Sequence, residues 1–322
     1  MIVNDRVYGE QLIEEPVLIG LIKSRELQRL KNINQFGMPD ELYNFKGYSR
    51  LEHSLGVMFL LRELDADLEE QVAGLLHDVS HSAFSHLIDW VYGTEMQENH
   101  QDEIHDRFVK SSSLPKTLEK YNFSFAQITN HHNFPLLEQE APLLCADRVD
   151  YSLREMALYQ DKENFPFLRD SIIANKRIMF NNREPAELFA KNYLKMQLNH
   201  WTGLEYMTRW RLFADGIKTA VREKVVSYED FFTDNFAFLE KLEKSKHREI
   251  VHVLDSLKGK LIVIEDKENP QYHLKKKFRW VDPEFIDCGK VYRVTEVNEG
   301  YKKEIEYQME RNREGWKVRI LP

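Results

Sequence analysis

Three separated stretches of this chain constrain its fold more than any other feature. They are Arg50-Leu-Glu-His53-Ser-Leu-Gly56, His77-Asp78-Val-Ser-His81-Ser-Ala-Phe-Ser-His86 and Asp147-Arg-Val-Asp150-Tyr151. Together they supply one histidine, an adjacent His-Asp pair and a distant aspartate. Such a set of imidazoles and carboxylates suits a hydrated divalent cation that keeps positions open for water and substrate. Neighbours on a helix diverge by roughly 100° around its axis. His77 and Asp78 can therefore reach one ion only at a helix end, or with side chains curled towards it.

All three stretches lie in a long helical pattern. From Pro16 onward apolar residues recur at helical spacing (Leu18, Leu21, Ile22, then Leu27, Leu30, Ile33). Residues 50–63, 66–78, 84–92, 98–110 and 141–158 each read as amphipathic helices. Ile2–Tyr8 alternates weakly, as a short strand would. Residues 170–181 read as a hairpin turning at Asn175-Lys176. Aromatic-rich helices follow across 185–224 (Phe189, Tyr193, Trp201, Tyr206, Trp210, Phe213) and again near 234–257.

The pattern changes near Gly259. Leu261–Glu265, Phe278–Val281, Lys290–Val294 and Trp316–Ile320 are short β-type runs between polar turns. The expected fold class is mainly α, with residues 1–258 as a helical core and 259–322 as a small C-terminal α+β module. Lys275-Lys-Lys-Phe-Arg-Trp280 makes that module basic and aromatic. Two readings stay open for it: a strand edge blunted by lysines, or a phosphate-contacting surface.

Composition excludes some classes. A net charge of −8 provides no global basic field for nucleic acid. Two cysteines, Cys145 and Cys288, cannot build a disulfide framework and point to a reducing, cytosolic setting. No stretch approaches the length needed to cross a bilayer.

The three stretches resemble the signature of the HD-domain phosphohydrolases. The branch they are most similar to contains the deoxynucleoside triphosphate triphosphohydrolases, including the SAM-and-HD-domain enzyme. The similarity extends upstream through Glu26–Gly37 and more loosely to about residue 257. The resemblance implies His53, His77, Asp78 and Asp147 as metal ligands. Manganese, iron, magnesium, zinc and nickel all suit them. It implies His81, His86, Asp89 and His100 as the acid–base set; because a carboxylate bonded to an imidazole raises its pKa and fixes its tautomer, Asp89 is expected to orient His100. Arg50 would grip phosphate, while Gln35 and Tyr151 would contact the nucleoside. A homodimer or higher oligomer is the family tendency.

The sequence also departs from that family. Ser80, Ser82 and Ala83 stand where glycines and a proline are usual, residues 37–47 replace a glycine-rich loop, and Gln101 stands where an acid is usual. These changes touch the walls for base and sugar more than the metal. The expected reaction is hydrolysis of a deoxynucleoside triphosphate to nucleoside and triphosphate. Nucleoside mono- or diphosphate hydrolysis is the enzymatic rival, and a nucleotide-sensing scaffold is the alternative of another class. His131-His132 raises a second metal against a plain polar helix end. His105 is expected at the surface.

Overall fold

The computed structural model describes residues 1–43 and 45–321, and it is mainly α-helical with three small sheets. Helix Arg50–Glu63 begins where Ser49 accepts a hydrogen bond from the Glu52 N–H at 3.2 Å. Helix Leu68–Leu76 begins at Asp67, which does the same for Glu70 at 2.8 Å. These helices pack closely because each carries a glycine at a crossing. A Cβ at Gly74 would collide with Leu61, and one at Gly56 would collide with Asp150 and Arg154. The third helix of the group, Ala146–Glu155, can thus lay its ionic side chains against the first.

The helix expected over 66–78 stops at Leu76, and the one expected over 84–92 starts only at Leu87. Between them Phe84 (φ 63°) and Ser85 (φ 53°) adopt left-handed backbone, which interrupts helical hydrogen bonding. Helix Ala146–Glu155 widens into a π-turn at Met156–Gln160, and Arg183–Met196 into another at Gln197–Trp201. Phe189, Tyr193, Trp201, Tyr206, Trp210 and Phe213 are all buried, so the aromatic stripe is core.

The tail is woven into the helical body. The hairpin Ile172–Ala174 and Ile178–Phe180 pairs with Glu284–Asp287 through a parallel contact of Phe180 with Phe285, and Lys290–Arg293 completes that sheet. A second sheet places Trp316–Leu321 between Ile262–Glu265 and Tyr272–Leu274. The strand expected at Phe278–Val281 is not formed. Residues 275–283 instead run without regular structure, fixed by contacts to the helices: the Asn312 amide donates to Lys276 O at 2.9 Å, the Arg279 N–H to Gln197 Oε1 at 3.3 Å and the Asp282 N–H to Pro142 O at 2.8 Å. Among the described residues no helix is long and apolar enough to cross a membrane.

Arg209, fully buried on helix Leu204–Arg222, ties together segments distant in sequence. Its guanidinium donates to the carbonyls of Leu42, Leu257 and Gly259, and so closes the end of helix Arg248–Lys258. Arg209→Leu would leave buried carbonyls without donors. We expect it to lower unfolding free energy by about 3 kcal/mol or more. Denaturant titration of the variant checks this, and a change within experimental error would refute the role.

Candidate metal centre

The site is built on a buried ionic chain. Arg154, wholly enclosed, donates to Asp150 Oδ2 at 2.8 Å, Glu52 Oε1 at 2.9 Å and Asp5 Oδ2 at 2.8 Å. Asp150 Oδ2 also lies 2.7 Å from His53 Nδ1. A carboxylate only accepts there, because burial's tendency to raise the Asp150 pKa is outweighed by Arg154 and His53, which lower it. His53 therefore carries its proton on Nδ1 and aims an Nε2 lone pair into the cleft. His77 is set the same way, with Nδ1 at 2.7 Å from the Gly74 carbonyl.

The two Nε2 atoms end 3.3 Å apart, and Asp147 Oδ1 lies 3.0 Å from the first and 3.7 Å from the second. Two such nitrogens can face each other only with a proton or a metal ion between them, and the carboxylates around them favour either. Three donors converging on one point are the chemistry a divalent cation needs. Asp78 borders the same point, with Oδ2 at 3.7 Å from His53 Nε2 and Oδ1 at 3.5 Å from His77 Nε2. Burial opposes charge on both histidines, yet the neighbouring carboxylates prevail. His53 is raised, and His77 is pushed up to about 9. Asp78 and Asp147 stay well below the usual carboxylate range: burial works against this, but Arg50 and His77 hold Asp78 down, and His53 and His77 hold Asp147 down.

Arg50 lies one turn before His53, and its backbone N–H bonds the Ile33 carbonyl while the Gln35 N–H bonds Tyr48 O. That pairing brings Gln35 beside Arg50. The guanidinium binds Asp78 Oδ2 at 2.6 Å and Ser85 Oγ at 3.0 Å, which leaves part of its donor fork for a ligand. The left-handed turn at Phe84-Ser85 is what delivers that serine. Gln35 Oε1 is buried without a partner, and Gln35 and Tyr151 both line the cleft. The Tyr151 hydroxyl is 2.5 Å from that of Tyr193.

The acid–base residues are arranged differently from expectation. His81 Nε2 lies 3.2 Å from Asp78 Oδ1, and burial together with Arg50 pushes its pKa well down, so it is neutral. His86 lines the cleft with its ring centroid 5.0 Å from that of His81. Asp89 does not orient the His100 ring. Its Oδ1 accepts the His100 backbone N–H at 3.2 Å, because that residue opens a helix and its N–H has no intrahelical acceptor. The His100 ring turns to the Tyr228 hydroxyl at 3.0 Å and does not line the cleft. The imidazole nearest Asp89 is that of His86, with 3.6 Å between Nδ1 and Oδ2.

Further residues join the site that the sequence did not place in the cleft, although Lys276, Lys277 and Arg279 belong to the basic run it singled out. His105, expected at the surface, is buried and lines the cleft. Ser80 donates to the Gln101 carbonyl at 3.3 Å, so His105 Nδ1 donates to Ser80 Oγ at 3.0 Å and its Nε2 is a buried lone pair without a partner. The His131 ring lies 5.0 Å away by centroids. Burial, helped by His131 and His77, lowers His105 to about 3. The helical spacing of His105 from Gln101 is the signal that places it on an inner face. Glu98, Glu155, Lys276, Lys277 and Arg279 also line this cleft of about 580 Å³. Cys145 sits beside Glu138 and Asp147, but burial and Glu138 push its thiol up, so it stays protonated.

Residues 50–155 match the HD domain family. The chain is 35% identical over 325 residues to the uncharacterized protein YdhJ of Bacillus subtilis, covering 100% of this chain and 99% of that one. It is 41% identical over 155 residues to the metal-dependent phosphohydrolase cns2 of Cordyceps militaris, covering 48% and 45%. Over 140 residues it is 30% identical to the deoxynucleoside triphosphate triphosphohydrolase SAMHD1 of Gallus gallus, covering 37% and 23%. This chain thus spans less than half of these last two relatives. In structure it is similar to a phosphohydrolase of Bacteroides thetaiotaomicron, with a TM-score of 0.72 at 17% identity over 93% of this chain and 95% of that one, a likeness of fold. With this fold, these motifs and a relative matched along its whole length, the chain belongs to the HD-domain phosphohydrolases, metal-dependent hydrolases.

Proposed function

We propose that this enzyme hydrolyses nucleotides, and that its substrate is a deoxynucleoside triphosphate cleaved to deoxynucleoside and triphosphate. The observation that carries this reading is the convergence of His53, His77 and Asp147 beside an Asp78-bound Arg50, in a cleft that Gln35 and Tyr151 also line. The partial similarity to deoxynucleoside triphosphate triphosphohydrolases supports the substrate.

His53, His77, Asp78 and Asp147 would hold the divalent cation, which when bound supplies Lewis-acid polarisation of a phosphate oxygen and a water of lowered pKa. Arg50 directs its free N–H groups to the α-phosphate. Water adds to the α-phosphorus as the bond from phosphorus to the sugar 5′-oxygen breaks, and that oxygen needs a proton. His81 is neutral and already engaged with Asp78. His86, beside Asp89 and facing the cleft, is the histidine placed to give the proton. Gln35 Oε1, buried and unpartnered, accepts from the nucleoside, and Tyr151 bounds the sugar.

A panel of ribo- and deoxynucleotides with each candidate metal, products identified by mass, tests the reaction. Triphosphate release is expected. Orthophosphate alone would indicate a phosphatase, and tight binding without any product would indicate a sensor. Replacing His77 and Asp78 together with alanine should remove bound metal and lower turnover roughly a thousandfold or more. Native turnover in that double variant would exclude this centre.

Metal binding should also release protons. The carboxylates keep His77 protonated up to about 9, whereas a metal ligand must be neutral. Affinity should therefore tighten as pH rises towards that value. Manganese titrations by calorimetry, in buffers of different ionisation heat, should show about one proton released per ion at neutral pH. Heats independent of buffer would contradict this electrostatic arrangement.

A further inference from the structure

The tail segment Lys275–Trp280, for which the sequence leaves open a lysine-blunted strand edge or a phosphate-contacting surface, contributes a wall of the cleft. Lys276, Lys277 and Arg279 all line it, together with the metal-centre residues His77, Asp78 and Asp147. These cations lie outside the segment matched by the HD domain family, residues 50–155. They are held in place by the Asn312 and Gln197 contacts of the backbone on either side.

Their charges are only partly compensated. Glu98 is the carboxylate shared by Lys276 and Arg279: Arg279 donates to Oε2 at 2.6 Å, whereas the Lys276 ammonium stops 3.7 Å from Oε1, beyond hydrogen-bond reach. Glu98 Oε1 is buried without a hydrogen bond. Glu98 itself has left-handed backbone (φ 47°), a conformation that costs energy and is kept here to aim the carboxylate at the wall. The Lys276 ammonium rests over the rings of Trp210 at 4.2 Å and Tyr206 at 4.8 Å. Rings stabilise a cation without supplying a counter-charge. Burial lowers Lys276 to about 8 despite Glu98, as expected for a buried ammonium short of anions. Lys277 forms no salt bridge among the described residues, has Glu98 and Asp102 as its neighbouring carboxylates, and is an exposed residue lining the cleft.

We propose that Lys276, Lys277 and Arg279 form an anion subsite that receives the terminal phosphates of a nucleoside polyphosphate. The proposal rests on the nucleotide reading above and deepens it. Arg50 and the ligand cluster suit the phosphate that reacts, while a second group of three cations in the same cleft suits a chain of further phosphates. The subsite selects a triphosphate over a monophosphate, and it belongs to the part of the chain shared with the full-length relative rather than to the HD domain itself.

The test compares equilibrium binding of inorganic tripolyphosphate and orthophosphate to the manganese-loaded full chain. Wild-type protein should prefer tripolyphosphate. K277Q and R279Q should each weaken tripolyphosphate binding at least about tenfold and reduce the preference, because each removes charge-assisted hydrogen bonds. R279K should fall between, since it keeps the charge but not the fork. K277Q disturbs no salt bridge, so it keeps the test valid if R279Q fails to fold, which a thermal melt reports. Unchanged tripolyphosphate binding in K277Q, or equal losses for both anions, would overturn the subsite. Binding needs no turnover, so the two readings fail separately. Loss of tripolyphosphate preference in a protein that cleaves no nucleotide would leave the subsite standing and remove the hydrolysis reading. Nucleotide cleavage with unaffected variants would do the reverse.

Discussion

Arg154 is the residue on which the cleft floor depends. A guanidinium with no solvent exposure survives only because Asp5, Asp150 and Glu52 surround it. Desolvating such groups costs several kcal/mol per ion, and removing one partner strands the others. The return is geometric. Asp150 shares one oxygen between Arg154 and His53, which orients the imidazole and points its other nitrogen at the candidate metal position. Gly56 is part of the same construction, since any side chain there would occupy the space taken by Arg154 and Asp150.

Left-handed backbone occurs at several non-glycine positions of this fold, and part of it adjoins the cleft. Phe84 and Ser85 take left-handed backbone where a glycine would be comfortable, and Glu98 does the same on the opposite side of helix Leu87–Tyr92 in sequence. Each has a visible consequence: Ser85 holds Arg50, and Glu98 holds the two tail cations. The π-turn after Glu155 belongs to the same group. Glu155 accepts from Tyr159 at 2.6 Å and from Trp201 at 2.9 Å, which ties the two widened turns together at the cleft edge.

The histidines of the cleft divide into two electrostatic classes. His53 and His77 stand among carboxylates and gain protons; His81, His105 and His131 are buried with cations or other imidazoles nearby and lose them. One cleft therefore holds charged and neutral imidazoles at the same pH. The two candidate ligands must therefore give up these extra protons to a cation, whereas His81, His105 and His131 are already neutral hydrogen-bonding walls.

The sequence by itself determined the helical class, the helix Arg50–Glu63 and the hairpin around Lys176, and its motifs contain the residues His53, His77 and Asp147 that converge at the candidate metal position. Helical period and local spacing carry that information, as in Arg50 and His53, one turn apart on one face. It did not determine which imidazole Asp89 serves. That depended on the His100 N–H lacking an acceptor and on Tyr228, far along the chain, offering a partner to the ring. Nor could periodicity show that Phe278–Val281 forgoes strand pairing, because the competing bonds come from Gln197, Asn312 and Pro142. Tautomers, strained turns and the cationic wall were decided by tertiary structure, because each is a contact between segments whose separation no local pattern encodes.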